Sequence, residues 1–456
     1  MNEVKKLQQE RAQLFDDLYL GIIPKRIPIS ISMPIELCIQ KSGLDIGETQ
    51  WTHKGMSDAI ENVVKNLRSD SCPADFPRLP LFLQVMGAVS TQMSHSGFIQ
   101  HPEVTTMEPE DYDAFINNPY DCIQEKIIPK LYCSLNVNPV RRSINLAMGL
   151  KAMIDSRTKF GEIYKSLSEK YGFYVVNPLY QSRSTAPFDL LADYPRGFKG
   201  IMSDVKRYPD KVKAACESIL PMAVKYAKPA VSSHLGSAFM PGHMPTFLRT
   251  KEFEELYYPS FSKLIHATAE NGQAFDLFCE DNWMRYLDYL YDLPQGTRLT
   301  FEYGDPKIIK EKLGKKHIIG GFYPITYTKT ASKQQCIDKA KELMDILAPG
   351  GNYFFCFDKS PLTLDSCNLE NLYAVVDFVA ENGKYENAGQ KSMVTKGEDS
   401  IKHVLKDIPA FKSQYYVSKE EYIKNNSYNR KDLEPIIYEQ VQQYEDFMFK
   451  TMMGWV

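Results

Sequence analysis

Short apolar runs recur along the second half of this chain, each closing on polar or Gly-rich residues before a helix-patterned stretch begins. FDLFCEDNW (275–283), YGDPKIIKEKLGKKHIIGGFYP (303–324) and DILAPGGNYFFCFDKSP (345–361) carry that rhythm most clearly. It is the rhythm of βα units, in which a buried strand reads as an apolar run and the next helix as a 3.6-residue periodicity. In α/β barrels the loops after the strands carry the chemistry, so these three tips predict the position of an active site.

Upstream, residues 4–20 read as a surface helix and PKRIPISISM (24–33) as a strand after a Pro turn. Residues 46–70 are largely helical, and RLPLFLQVMGA (78–88), an apolar run punctuated by Gly, predicts a central strand. From Ser90 to about Asp155 the chain turns polar, with MEPEDYDAFI (107–116) helical, which predicts an excursion over the barrel mouth. FYVVNPLYQ (173–181) predicts another strand, and 187–227 a loop that becomes helical after Gly200. KPAVSSHLG (228–236) predicts a strand closing on His234, and 253–272 a helix stopped by Asn-Gly. After Lys384 the chain is polar again. The expectation is one α/β domain over 1–390, with a tyrosine-rich helical extension over 391–456 packed on it.

Composition narrows the class. With 54 Lys and Arg against 57 Asp and Glu, the net charge of −3 offers no basic surplus for a phosphate backbone, so nucleic acid is not the expected partner. No run reaches the roughly 18 apolar residues of a membrane span. The charged amino-terminal helix does not read as a signal peptide. Nine scattered cysteines without a CxxC pair point to free thiols in a reducing cytoplasm. P-loop, GxGxxG, HExxH and GxSxG motifs are missing, so no nucleotide cofactor is expected.

Candidate chemistry gathers at strand ends. His234 can ligate metal, shuttle protons or bind substrate, or simply hydrogen-bond a loop carbonyl. His243, in a Pro/Gly loop, reads as a surface or lid residue. Cys279, Glu280 and Asp281 end the run AFDLF; Glu280 is the candidate base or metal ligand, while Asp281 and Asn282 read as caps of the next helix. Asp305-Pro306 reads as an N-cap followed by Pro at N1. Gly320-Gly321 admits a ligand to the backbone or makes a tight turn. Asp358 and Lys359 can hold an anionic substrate or face solvent, and the basic Gly-rich loop around Arg196 can do the same. His266 reads as a satisfied helical histidine and Cys356 as core.

The ordered set YYPSFSKLIHA, YGDPKIIKEKLGKKHIIGGFYP and LAPGGNYFFCFDKSPLTLDSCNLENLYAVVDFV resembles the uroporphyrinogen decarboxylase superfamily, which includes corrinoid-linked methyltransferases. DYPRGFKGIMSDVKRYPDKV and MEPEDYDAF extend the likeness toward a long-form, decarboxylase-like subgroup, over about residues 5–390. The resemblance implies a (β/α)8 TIM barrel with its site at the strand C-termini. It also implies either methyl transfer between a small substrate and a corrinoid protein, or decarboxylase/lyase chemistry on an anionic substrate; a ligand-binding barrel without chemistry is the third reading. The decarboxylases' strand aspartate has no counterpart in FLQVMGA, and FDKSP stands where they carry Gly-His-Gly. The methyltransferases' His-x-Cys-Gly-Asn zinc motif falls on LFCEDNW, with Phe278 at its histidine and Glu280 at its cysteine; Lys359 stands near the late cysteine. On this basis His234, Glu280 and Lys359 are the expected catalytic residues, and Arg196, Asp358 and Tyr323 the expected substrate contacts. A zinc ion would fall to His234, Cys279 and Glu280. A homodimer is a further expectation.

Overall fold

The computed structural model describes residues 3–392, 400–426 and 430–456. After a small antiparallel hairpin, β1 (Gln92–Met93) with β2 (Ile99–Gln100), comes a parallel sheet of five strands: β3 (Gln181–Arg183), β4 (Ser237–Gly242), β5 (Phe275–Cys279), β6 (Arg298–Phe301) and β7 (Ile318–Gly321). Their spatial order is their chain order, each strand pairing in parallel with the next. Register is fixed by pairs such as Leu277 with Met240 on one side and with Leu299 on the other.

The pairing continues past β7 in isolated parallel bridges. Ile319 pairs with Tyr353, Tyr323 with Phe357, Phe355 with Ile29, Met33 with Ala74, and Ser71 with Tyr174. The expected eight strands are therefore present in part: five are regular, and 24–33 is extended but held only at single bridges. Ladder geometry is interrupted there by prolines, which cannot donate.

Two predicted strands are corrected. RLPLFLQVMGA contains the helix Pro80–Met86, with Pro80 at the first position, where its missing N–H is harmless, and Phe82 and Met86 buried one turn apart. KPAVSSHLG is an irregular loop, and the strand begins directly after it, at Ser237, three residues beyond His234. The 90–155 excursion holds the hairpin, short helices and then one 33-residue helix, Pro139–Tyr171. That helix is capped by the Asn138 side chain, which accepts from Arg141 N at 3.0 Å, and it stops at Gly172 in a left-handed conformation (φ 67°). Of the expected extension, 393–399 and 427–429 lie outside the described residues. The helix Glu434–Met453 and Trp455 pack on the body: Tyr132 donates to the Trp455 carbonyl at 3.0 Å, and Lys225 meets Asp446 at 2.7 Å. Among the described residues no helix is long and apolar enough to cross a membrane.

One buried carboxylate ties the early segments together. Asp70 takes both Arg26 nitrogens, at 2.7 and 2.5 Å, and the Ile29 backbone N–H at 2.8 Å, with Arg11 of the first helix 3.6 Å away. Removing one partner of such a group leaves the others desolvated and uncompensated. Asp70→Ala is expected to lower unfolding stability by about 3–5 kcal/mol, measured by urea denaturation.

Candidate active site at the strand ends

The carboxyl ends of β3 to β6 and of the 353–357 segment bring charged side chains to one mouth. After β3 the chain enters the helix Pro187–Asp193, which starts at Pro187 and buries Phe188, Leu190 and Leu191 among the neighbouring helices. That helix carries Asp189, wholly buried, and Asp193. β4 ends at Gly242, and the next residue, His243, lies between them, with Nδ1 3.2 Å from Asp189 and Nε2 2.9 Å from Asp193. Asp189 also accepts from Met244 N at 3.0 Å and from the Tyr257 hydroxyl at 2.6 Å. Glu280 directly follows β5, and Glu302 directly follows β6. Glu302 accepts from Asp281 N at 2.8 Å and from Lys359 Nζ at 2.5 Å.

Electrostatics separate the roles. Burial alone would lower His243, but the Asp193 hydrogen bond and the charges of Asp189, Asp193 and Glu280 raise it to about 9, so it is an imidazolium at neutral pH. Burial pushes the Asp189 carboxyl up to about 6 even against the pull of His243. Burial raises Glu280 as well, with Glu302 and Asp193 adding to the rise and His243 and Lys359 opposing it. At Glu302 burial pushes upward, but the Lys359 and Asp281 hydrogen bonds bring the carboxyl below its ordinary range.

Two tips are locked by Trp283, which is wholly buried; its indole donates to the Gly242 carbonyl at 3.2 Å and the Glu280 carbonyl at 3.1 Å. A side chain at Gly242 would place its Cβ 2.7 Å from that ring, so only glycine fits. Asp281 and Phe322, at the ends of β5 and β7, sit at φ 57° and 70°, left-handed conformations that non-glycine residues hold at a cost of order 1–3 kcal/mol.

Several expected site residues lie elsewhere. His234 precedes β4, so it belongs to the opposite end of the sheet, roughly 20 Å from the mouth at about 3.3 Å per strand residue. There it bonds Asp16 of the first helix at 2.6 Å. The mouth histidine is His243, which the sequence pattern assigned to the surface or a lid. Arg196 is buried, with Nε 2.5 Å from Asp204 and a further bond to the Met107 carbonyl, so its guanidinium holds the fold rather than a substrate. Asp358 accepts from the backbone N–H groups of Ile325 at 2.9 Å and Lys359 at 2.8 Å, and Tyr323 donates to the Cys336 carbonyl at 2.9 Å; both are structural. Glu280 and Lys359 do reach the mouth. Around Gly320 and Gly321 the space is filled by Phe354 and the Phe301 carbonyl, so those glycines serve packing.

The residues present do not fit the expected zinc ion. His234 is at the wrong end, and strand alternation sends Cys279 toward buried Tyr257 while Glu280 faces the mouth. Among the described residues no group of three or more His, Cys, Asp or Glu side chains is placed to hold a metal. The Asp305 cap is as expected, accepting from Lys307 N at 2.9 Å and Ile308 N at 3.1 Å, and Asn282 caps Met284 N at 2.9 Å. His266 is buried in its helix, where Nδ1 accepts from Lys402 N at 3.1 Å.

Residues 181–381 match the family model described as Uroporphyrinogen decarboxylase (URO-D). The match opens on β3 and closes inside the helix Leu369–Asn382, so it contains every mouth residue named above. No curated protein matches the chain.

Because His243 binds its proton more tightly folded than unfolded, the stability it contributes is complete below its unfolded value near 6.5 and is lost as pH rises through about 9. The stability margin of the native chain over His243→Gln is therefore expected to shrink between those values, measured by thermal unfolding across pH. In Asp189→Asn the histidine midpoint is expected to fall from about 9 toward 6.5, read by NMR titration.

Proposed function

Through residues 181–381 the chain is a member of the uroporphyrinogen decarboxylase superfamily, and on that premise we propose that it is an enzyme moving a methyl group between a small substrate and a corrinoid protein. The observation that carries this reading is the His243 imidazolium, clamped by Asp189 and Asp193 beside Glu280. A positioned proton donor is what a methylated oxygen or nitrogen needs to become a leaving group. The methyl–heteroatom bond breaks, its electron pair stays on the heteroatom, and the proton of His243 is taken up there while the methyl group passes to the acceptor. Half-exposed Asp193 lets the imidazole regain its proton from water. The corrinoid acceptor rests on the likeness to the methyltransferase branch. The fold reading that goes with this is a closed (β/α)8 barrel, supported by parallel pairings that run from β3 through β7, 353–357, 27–33 and 69–74 back to Tyr174.

The same proton could instead quench the carbanion left by decarboxylation, which makes a carboxy-lyase the second reading. Arg196 is already paired with Asp204 and Lys359 with Glu302, which supports methyl transfer over capture of an anionic substrate. Methylation of free cob(I)alamin by a panel of O- and N-methylated small molecules, followed by absorbance, tests the proposal. Turnover is expected, with His243→Gln lowering kcat by about 10²–10⁴-fold. Carbon dioxide release from a carboxylated substrate without methyl transfer would overturn it, as would no turnover at all.

A further inference from the structure

Away from the mouth, a cavity of about 330 Å³ opens between the helices Ile46–Thr52, Pro80–Met86 and Pro139–Tyr171. It shares no residue with the acid–base cluster. Pro80, Leu81 (46% exposed) and Trp51 (40% exposed) give it apolar walls. Large apolar side chains left open around a concavity are a common mark of ligand sites.

Two of its buried polar atoms are unmet among the described residues. Gln50 is 1% exposed and donates through Nε2 to the Gly97 carbonyl at 2.6 Å, but its Oε1 has no partner among the described residues. His53 Nδ1 is likewise unpartnered, and His53 sits at φ 60°. Buried polar atoms without partners cost about 1–3 kcal/mol each, and a left-handed residue adds strain of similar size. Lys159 also lines the cavity and has no ion-pair partner among the described residues, whereas neighbouring Asp155 is taken by Lys151 at 2.6 Å.

We propose that this cavity is a second small-molecule site that takes a planar aromatic carboxylate carrying a ring hydroxyl or amine. The ring lies against Trp51, Leu81 and Pro80, the carboxylate meets Lys159, and the ring substituent donates to Gln50 Oε1. An aromatic ring presents a flat apolar face to indole at little entropic cost, and a single free ammonium fixes its orientation. The inference does not depend on the methyl-transfer reading.

Isothermal titration calorimetry of the full chain with 4-hydroxybenzoate and with benzoate tests it. One saturable site is expected, with benzoate about tenfold weaker for lack of the Gln50 hydrogen bond and Lys159→Met weakening both ligands about tenfold or more. Trp51→Ala, at an exposed position, is expected to weaken both equally and guards against a folding defect in the lysine variant. Binding is expected to persist in His243→Gln. No saturable heat with either ligand, affinities unmoved by both cavity variants, or loss of binding in His243→Gln would overturn the proposal.

Discussion

Asp189 is the constraint on which the mouth depends. One buried carboxyl receives the Met244 backbone, the Tyr257 hydroxyl and the His243 ring, so it joins the unit after β3, the tip of β4 and the helix layer at a single point. A carboxylate in that place is costly to desolvate, and these two donors plus an imidazolium offset the cost. The same arrangement keeps His243 charged and aimed. Structure and chemistry are one interaction here.

Around it the charges are arranged in opposed couples. His243 lies between two aspartates, Lys359 answers Glu302, and Arg196 answers Asp204 outside the mouth. Glu280 is left without such a couple, its carboxyl raised by burial and by its acidic neighbours. A carboxyl raised by burial beside an imidazolium held by two aspartates is a contrast between neighbouring groups that environment alone can create.

How much of this could be read from the sequence varied with how local the cause was. The β5 tip and Glu280 were legible because FDLFC is a compact apolar run ending abruptly in acids. Asp305 was legible because a cap acts on its own next residues. His243 was missed because its strand, SAFMPG, contains Pro241 and Gly242 and reads as a turn, while KPAV, without a place in the sheet, reads as a strand. Sheet neighbours on both sides overrode propensity. RLPLFLQVMGA failed through the ambiguity of short apolar runs, which helices and strands share. Arg196 and Asp358 could not be judged at all without knowing that Asp204, Met107 and Ile325 would occupy them.

The parallel pairing changes character along its length. From β3 to β7 the segments share continuous ladders, whereas 27–33, 69–74 and 173–176 are joined mainly at single bridges. Ladder hydrogen bonds open together and isolated ones open singly, so local opening costs less at the single bridges. The five-strand sheet that leads to the charged mouth residues is thus the stiffer part, and the singly bridged segments are the more compliant. Local opening at those segments can proceed while the distances around His243, which follows a ladder strand, stay constant.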